Sequence, residues 1–115
     1  MKRLTELENI LRDKQLIKVE LQLEYFSTTD NNSIDQLNLH ILKNDKSKII
    51  LVLSKIKRLE LNLESFSSHY IEVIKCLQNE KSIIISLDPF DERIEEIENK
   101  DNFIIEFLEY KVIKI

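Results

Sequence analysis

Within the segment from Leu16 to Phe26, apolar and polar residues alternate from Ile17 to Tyr25, and this pattern most constrains the fold of the chain. Every second side chain is apolar, and those between are lysine, glutamate or glutamine. Because successive residues of a strand point to opposite faces, the pattern predicts a half-buried strand in an antiparallel sheet. The residues predicted to face the core are Ile17, Val19, Leu21, Leu23 and Tyr25.

Further strands are predicted along the chain. Leu37, Leu39 and Ile41 alternate in the same way, and residues 48–63 alternate in two registers, which predicts two strands or one long bent strand. We expect Leu61 to face the core in the second register. The last predicted strand covers Phe103 to Ile115.

Residues 70–77 fit two structures. Ile71 and Val73 suit a strand, whereas Tyr70, Ile74 and Leu77 suit one face of a helix. We favour a strand that turns at Asn79-Glu80-Lys81 and pairs with Ile83 to Leu87 as a hairpin.

The fold class follows from the sum of these elements. Leu4, Leu7, Ile10 and Leu11 recur at helical spacing and predict a short N-terminal amphipathic helix lying on the sheet. We expect a mainly β (α+β) protein of six or seven antiparallel strands and this helix, arranged as a β-sandwich or a strongly twisted sheet. A chain of 115 residues fits one domain, 1–115, that buries a core without disulfides or metal.

Glycine is absent, and this excludes several classes of enzyme. Phosphate-binding loops, the dinucleotide fingerprint and the hydrolase nucleophile elbow need glycine, because a Cβ would clash where the backbone approaches a phosphate or turns sharply. Positive-φ positions must then pass to Asn or Asp. The predicted turns are Asn31-Asn32, Asn44-Asp45, Asn79-Glu80 and Asn99 to Asn102.

Cys76 is the only cysteine, so no intrachain disulfide can form and a reducing compartment is expected. Polar residues break the apolar run from Leu4 to Leu11, which argues against an export signal. No apolar run approaches the length of about 18 residues that a membrane span needs. We therefore expect a cytoplasmic protein that does not enter a membrane.

Candidate chemical sites are poorly spaced. His40 and His69 show no metal-binding spacing, and Cys76 is expected to pack as a small hydrophobe rather than to act as a nucleophile. Asp88, Asp91 and Glu92 lie close enough to suggest a divalent cation, but a calcium loop also needs a glycine bend. A turn fixed by Pro89 explains them better.

Two weaker patterns concern nucleic acid. Glu109-Tyr110-Lys111, with Asp91 or Asp101 upstream, imitates the acidic and lysine residues of a metal-dependent nuclease core. Lysines and one arginine between Lys43 and Arg58 form a basic concentration without interleaved aromatic residues. We expect neither a nuclease site nor a nucleic-acid surface, and we predict no catalytic residue, metal or cofactor.

Negative charge is concentrated near the end of the chain. Residues 83–110 hold nine acidic residues against Arg93 and Lys100, a net charge of −7, whereas the whole chain has a net charge of −4. The rest of the chain is therefore net +3. This asymmetry predicts an acidic face that attracts a basic partner and repels nucleic acid or anionic lipid.

The order of motifs resembles a known kind of protein. The elements are I-K-R-L-E-L-N-L (56–63), S-H-Y-I-E-V (68–73), L-D-P-F-D-E (87–92), an acidic run and K-D-N-F (100–103) before a final strand. Residues 48–115 resemble, by pattern, the immunity proteins of bacterial contact-dependent inhibition and other polymorphic toxin systems. The resemblance implies a cytosolic β-rich protein that binds one cognate toxin domain, often a nuclease, and it brings no catalytic residues.

The sequence thus predicts an immunity protein that neutralises a toxin domain through an acidic surface. The alternatives are a regulatory or structural β-domain with no toxin partner and a metal-dependent hydrolase. The oligomeric state and the toxin's identity stay open. The residues predicted to contact the toxin are Asp88, Phe90, Asp91, Glu92, Glu95, Glu96, Glu98 and Asp101.

Overall fold

The computed structural model describes residues 1–23, 34–62 and 70–115, which form two antiparallel five-stranded sheets and one short helix. The helix is α1 (Thr5–Leu11), and the strands are β1 (Lys2–Arg3), β2 (Lys14–Leu23), β3 (Ile34–Leu42), β4 (Lys48–Ser54), β5 (Arg58–Glu60), β6 (Tyr70–Ile71), β7 (Lys75–Gln78), β8 (Ile83–Asp88), β9 (Asn102–Phe107) and β10 (Glu109–Lys114). Sheet A has the order β1-β7-β8-β9-β5, and sheet B has the order β10-β4-β3-β2-β6. The predicted mainly β architecture is confirmed.

One hydrophobic core joins the two sheets. Leu37 and Leu39 of β3 and Ile85 and Ile105 of β8 and β9 are each 0% exposed and belong to the same cluster. The predicted helix is confirmed, and its Leu7 and Leu11 enter this cluster. Because a seven-residue helix is unstable alone, this burial is what holds it.

Two of the places where the chain passes from one sheet to the other lie next to each other. Between β4 and β5 the backbone turns at Lys55, whose φ is 58°. Between β9 and β10 it turns at Leu108, whose N–H donates to the Ser54 carbonyl at 3.2 Å. The lost alternation near Lys55 is thus a crossing between sheets, and the single final strand predicted over 103–115 is two strands in different sheets.

The number of strands exceeds the prediction. Seven strands of the described residues have four or more residues, while β1, β5 and β6 have two or three and are too short to show periodicity. The strand preferred for residues 70–77 is confirmed but divided, with β6 in sheet B and β7 in sheet A. The predicted hairpin is confirmed, since Asn79 Oδ1 accepts N–H groups of Lys81 at 2.7 Å and Ser82 at 2.8 Å.

The prediction that the inner face of β2 is buried is wrong. Val19 and Leu21 lie opposite the buried Leu39 and Leu37, yet they are 41% and 53% exposed. Ile17 sits at a register shift and is 43% exposed, and Leu16 is the buried residue among residues 14–22 of this strand. The side chain of Leu23, and Tyr25 itself, lie outside the described residues.

Leu61 was also predicted to be buried and is 42% exposed. It follows β5, a three-residue strand at the edge of sheet A. An edge strand has a neighbouring strand on one side only, so the side chains at its end are covered less completely. The second register predicted over 59–63 therefore places only its first residue, Leu59, against the core, and Leu63 lies outside the described residues.

The positive-φ prediction is largely wrong. Such angles occur at Asp13 (60°), Lys46 (74°), Lys55 (58°) and Phe103 (49°). The Asn44-Asp45 turn forms as predicted, but Asp45 contributes its side chain, which accepts the Ser47 N–H at 2.9 Å, while Lys46 takes the unusual backbone angle. Tertiary packing therefore overrides residue preference here, and the predicted turn at 31–32 lies outside the described residues.

Candidate functional site

The acidic segment 88–101, which we call the strap, crosses the outer face of sheet A. Cys76 and Ile85 are paired neighbours that belong to the core, so the next pair, Lys75 and Ser86, points to the opposite face. Both of these outward residues are nevertheless 0% exposed. The strap therefore covers this part of the sheet instead of projecting into solvent.

Asp101 fastens one end of the strap. Its side chain and that of Lys75 are both 0% exposed, and Lys75 Nζ lies 2.8 Å from Asp101 Oδ2. The Asp101 carboxylate also accepts N–H groups of Phe90 at 2.9 Å and Glu98 at 2.8 Å, and the Glu96 carbonyl accepts Lys75 Nζ at 2.9 Å. Asp101 was predicted as a contact residue, but its burial gives it an internal role.

Glu92 fastens the strap to the N-terminal region. Its carboxylate accepts Arg12 Nη1 at 2.5 Å and the Ile74 N–H at 3.1 Å, and its carbonyl accepts Arg3 Nη2 at 2.5 Å. Both arginines also pair with the buried Glu8, Arg3 at 2.7 Å and Arg12 at 3.8 Å. Burial alone would raise the pKa of Glu92, but the Arg12 and Ile74 hydrogen bonds and the two arginine charges lower it overall.

Asp91 has a partner within the strap itself. Its two carboxylate oxygens each lie 3.0 Å from a guanidinium nitrogen of Arg93, and its Oδ1 also accepts the Arg93 N–H at 3.0 Å. These side-chain and backbone hydrogen bonds from Arg93 lower the pKa of Asp91 to about 2. The Asp91 charge is therefore offset locally.

The charge excess read from the sequence is thus offset in part by the fold. Arg3, Arg12 and Lys75 come from outside residues 83–110 and pair with acids of the strap. The exposed strap residues predicted as contacts are Phe90, 64% exposed, and Glu95 and Glu96. Asp88, Asp91, Glu92 and Glu98 are half-buried.

A groove of about 1040 Å³ lies beside the strap on the outer face of sheet A. Ile84 and Ile104, at 5% and 4% exposure, are its apolar lining on β8 and β9. The strap lines it with residues that include Phe90 and Glu98, and β5 with the residues after it lines it further. No local sequence pattern indicates this groove, because residues far apart in the chain form it.

Other predicted candidates remain apart from the strap. His40 lies on sheet B and makes a short hydrogen bond with Glu20, which lowers the pKa of that carboxyl. Cys76 is buried as predicted, and burial raises the pKa of its thiol well above the ordinary value. The acidic residues of the nuclease-like pattern have separate partners. Glu109 pairs with Lys55 at 3.0 Å, and Asp101 pairs with Lys75. His69 lies outside the described residues.

Within the parts of the chain that the structure describes, no three histidine, cysteine or acidic side chains come together in a way that could hold a metal ion. Over residues 1–23, 34–62 and 70–115, no helix has the length and apolar character required to cross a membrane.

The basic stretch between Lys43 and Arg58 is partly paired with acidic residues. Lys55 pairs with Glu109, and Arg58 pairs with Glu60.

The strap anchor at Glu92 predicts a specific pH dependence. A carboxyl whose pKa is lowered by folding stabilises the protein above its unfolded pKa, and this contribution is lost as pH falls through the folded value. Glu92→Gln should therefore be less stable than the unmodified protein at pH 7, and the difference should shrink below the ordinary glutamate value of about 4.5. Urea unfolding between pH 7 and pH 3 measures this.

The matched control is Glu95→Gln, because the Glu95 side chain is 62% exposed and lies 3.8 Å from Arg3 Nε. Exposed pairs of this kind contribute little, so its stability difference should stay small across the same range. A Glu92→Gln difference that does not change between pH 7 and pH 3 would contradict a charged anchor at this position.

No protein-family model, no curated protein and no solved structure matches this chain.

Proposed function

We propose that this protein is a non-enzymatic immunity protein that binds and neutralises a cognate bacterial toxin domain. The pattern resemblance over residues 48–115 motivates the proposal. The observation that best supports it is that Phe90, Glu95 and Glu96 are exposed on a strap held at Glu92 and Asp101. An anchored surface of this kind can bind with little loss of conformational entropy.

A nuclease domain is the class of toxin that this surface fits best. Such an enzyme presents a cationic cleft to the phosphate backbone of its substrate. Exposed carboxylates attract a cationic surface over long range and raise the association rate, and a protein seated in the cleft excludes the substrate. The exposed Phe90 ring supplies apolar contact area beside these charges, as aromatic residues do at binding hot spots.

The contact surface is smaller than the eight residues predicted from the sequence. Phe90, Glu95 and Glu96 form its exposed part, and the half-buried Asp88, Asp91, Glu92 and Glu98 lie around them. Asp101 does not belong to it, because its carboxylate is enclosed with Lys75. Charges already paired inside the protein contribute less to steering than free ones.

The double reversal Glu95→Lys with Glu96→Lys tests this proposal. The toxin domain encoded beside this gene is co-expressed with each variant, and surviving cells are counted. We expect the reversal to slow association and abolish protection while the fold stays intact, because exposed charges contribute little to stability. Association of the unmodified pair should also slow as salt increases.

A reversal of the same size away from the strap is the matched control. Glu72 and Glu80 are exposed, and Glu72→Lys with Glu80→Lys changes the net charge equally. This control should keep protection. Full protection by the Glu95 and Glu96 variant would show that the strap is not the contact surface, and the absence of any neighbouring toxin gene would count against an immunity function.

A further inference from the structure

We infer that the groove beside the strap binds a guanidinium group presented by the partner protein. Phe90 contacts the flat face of this group, and the carboxylates of Asp88 and Glu98 accept its N–H donors. This inference rests on the proposed function, because the toxin would supply the arginine. Phe90, Asp88 and Glu98 all line the same groove.

The shape of the groove suits an inserted side chain. Its volume of about 1040 Å³ is slightly above the usual range for ligand pockets, so it can admit a side chain together with part of its backbone segment. The nearly buried Ile84 and Ile104 give it an apolar lining, against which the methylene groups of a long side chain can pack. A small free ion would leave most of this space unfilled.

The charges that line the groove favour a cation. Five carboxylates line it against Arg58 and Lys100, a net charge of −3. Arg58 already pairs with Glu60, and Asp101 is neutralised by Lys75. Of the other carboxylates, that of Glu98 lies 3.6 Å from Lys75 Nζ, and those of Asp88 and Glu96 have no cationic partner among the described residues. Among them, Asp88 accepts Asn102 Nδ2 at 3.3 Å, which is a neutral donor.

Two further observations point to a cation with N–H donors. Glu98 Oε1 is shielded from solvent and has no hydrogen-bond partner among the described residues, although Lys75 Nζ lies 3.6 Å away. A buried acceptor without a hydrogen-bond partner costs free energy, so a ligand N–H group that reaches Glu98 Oε1 would stabilise the complex. On the same strap, Lys100 Nζ lies 4.8 Å from the centroid of the Phe90 ring, so one face of this ring contacts a cation of the protein itself and the guanidinium stacks on the other face.

A guanidinium fits these groups better than an ammonium or a metal ion. It is planar, stacks on aromatic rings and carries five N–H donors, which can serve two carboxylates at once. A metal ion would need three or more ligands converging on one point, and no such group occurs within residues 1–23, 34–62 and 70–115.

A peptide titration tests the groove without the toxin. The full protein, labelled with ¹⁵N, is titrated with the blocked peptide Ac-Arg-Ser-Arg-NH₂ and, separately, with the same peptide carrying citrulline in place of arginine. Citrulline keeps the shape of arginine but removes its charge. We expect chemical-shift changes at the backbone amides of Phe90, Glu98 and Asn99 with the arginine peptide and none with the citrulline peptide.

Variants then locate the binding groups. Asp88→Asn and Phe90→Ala should each weaken the apparent Kd by about two- to fivefold, the size expected of a partly exposed charge or cation–π contact. Asp45 lies in the turn before β4 and does not line the groove, so the control Asp45→Asn should leave the Kd unchanged. Equal shifts with both peptides, or shifts outside the groove, would overturn the inference.

The outcomes separate the two proposals. If the arginine peptide does not bind the groove but the neighbouring toxin is still neutralised, the guanidinium site is wrong and the immunity function stands. If the peptide binds and no toxin is neutralised, the site stands as a cation-binding groove and the immunity function is wrong.

Discussion

Asp101→Ala should destabilise the protein by about 3–5 kcal/mol, the range for breaking a buried ion pair by removing one partner. The change leaves the ammonium of Lys75, at 0% side-chain exposure, without its nearest carboxylate. It also removes the acceptor of the Phe90 and Glu98 N–H groups, so one end of the strap loses its attachment. Urea unfolding at pH 7 measures the change in free energy.

A double-mutant cycle separates the ion pair from the other bonds of Asp101. Lys75→Met should also destabilise, but Lys75→Met combined with Asp101→Asn should cost less than the sum of the two single changes. We expect a coupling energy above about 1 kcal/mol, because contacting buried residues are not independent. Additive effects would mean that Lys75 and Asp101 do not depend on each other for stability.

Leu37→Ala and Leu21→Ala should differ strongly although the two residues are direct neighbours across β2 and β3. Leu37 is 0% exposed, so its truncation should cost about 2–5 kcal/mol through lost burial and a new cavity. Leu21 is 53% exposed, and its truncation should cost less than about 1 kcal/mol. Denaturant unfolding of the two variants gives both values.

The pair is its own control, because both changes remove the same atoms from the same sheet. Equal losses would show that Leu21 is packed as tightly as Leu37 and that the sequence-based assignment of its face also predicted its burial. A small loss at Leu37 would contradict the position of the core between the sheets.

Local patterns predicted the local structure well. The strand at 37–41, the hairpin at Asn79 and the N-terminal helix follow from alternation, from turn chemistry and from helical spacing, which depend on residues close in sequence. The burial of Val19 and Leu21 did not follow. Alternation determines which face a side chain occupies, but the reach of the opposing layer decides whether that face is covered.

The candidate site shows the same division. Phe90 and Glu96, two of the residues predicted as contacts, are exposed, and their role in binding stays a prediction. The pairing of Arg12 with Glu92, 80 residues away, was not predictable from one sequence, because no local pattern joins the two residues. The net charge of a segment therefore overstates its exposed charge wherever distant cations pack against it.

The order of the strands has a consequence for how the molecule opens. Sheet A takes its strands from residues 2 to 107 and sheet B from residues 14 to 114, so neither sheet belongs to one half of the chain. Opening one sheet removes partners from segments that are covalently continuous with the other. Slow amide hydrogen exchange at Leu51 in sheet B and at Ile105 in sheet A should then report the same opening free energy, that of a single cooperative unit.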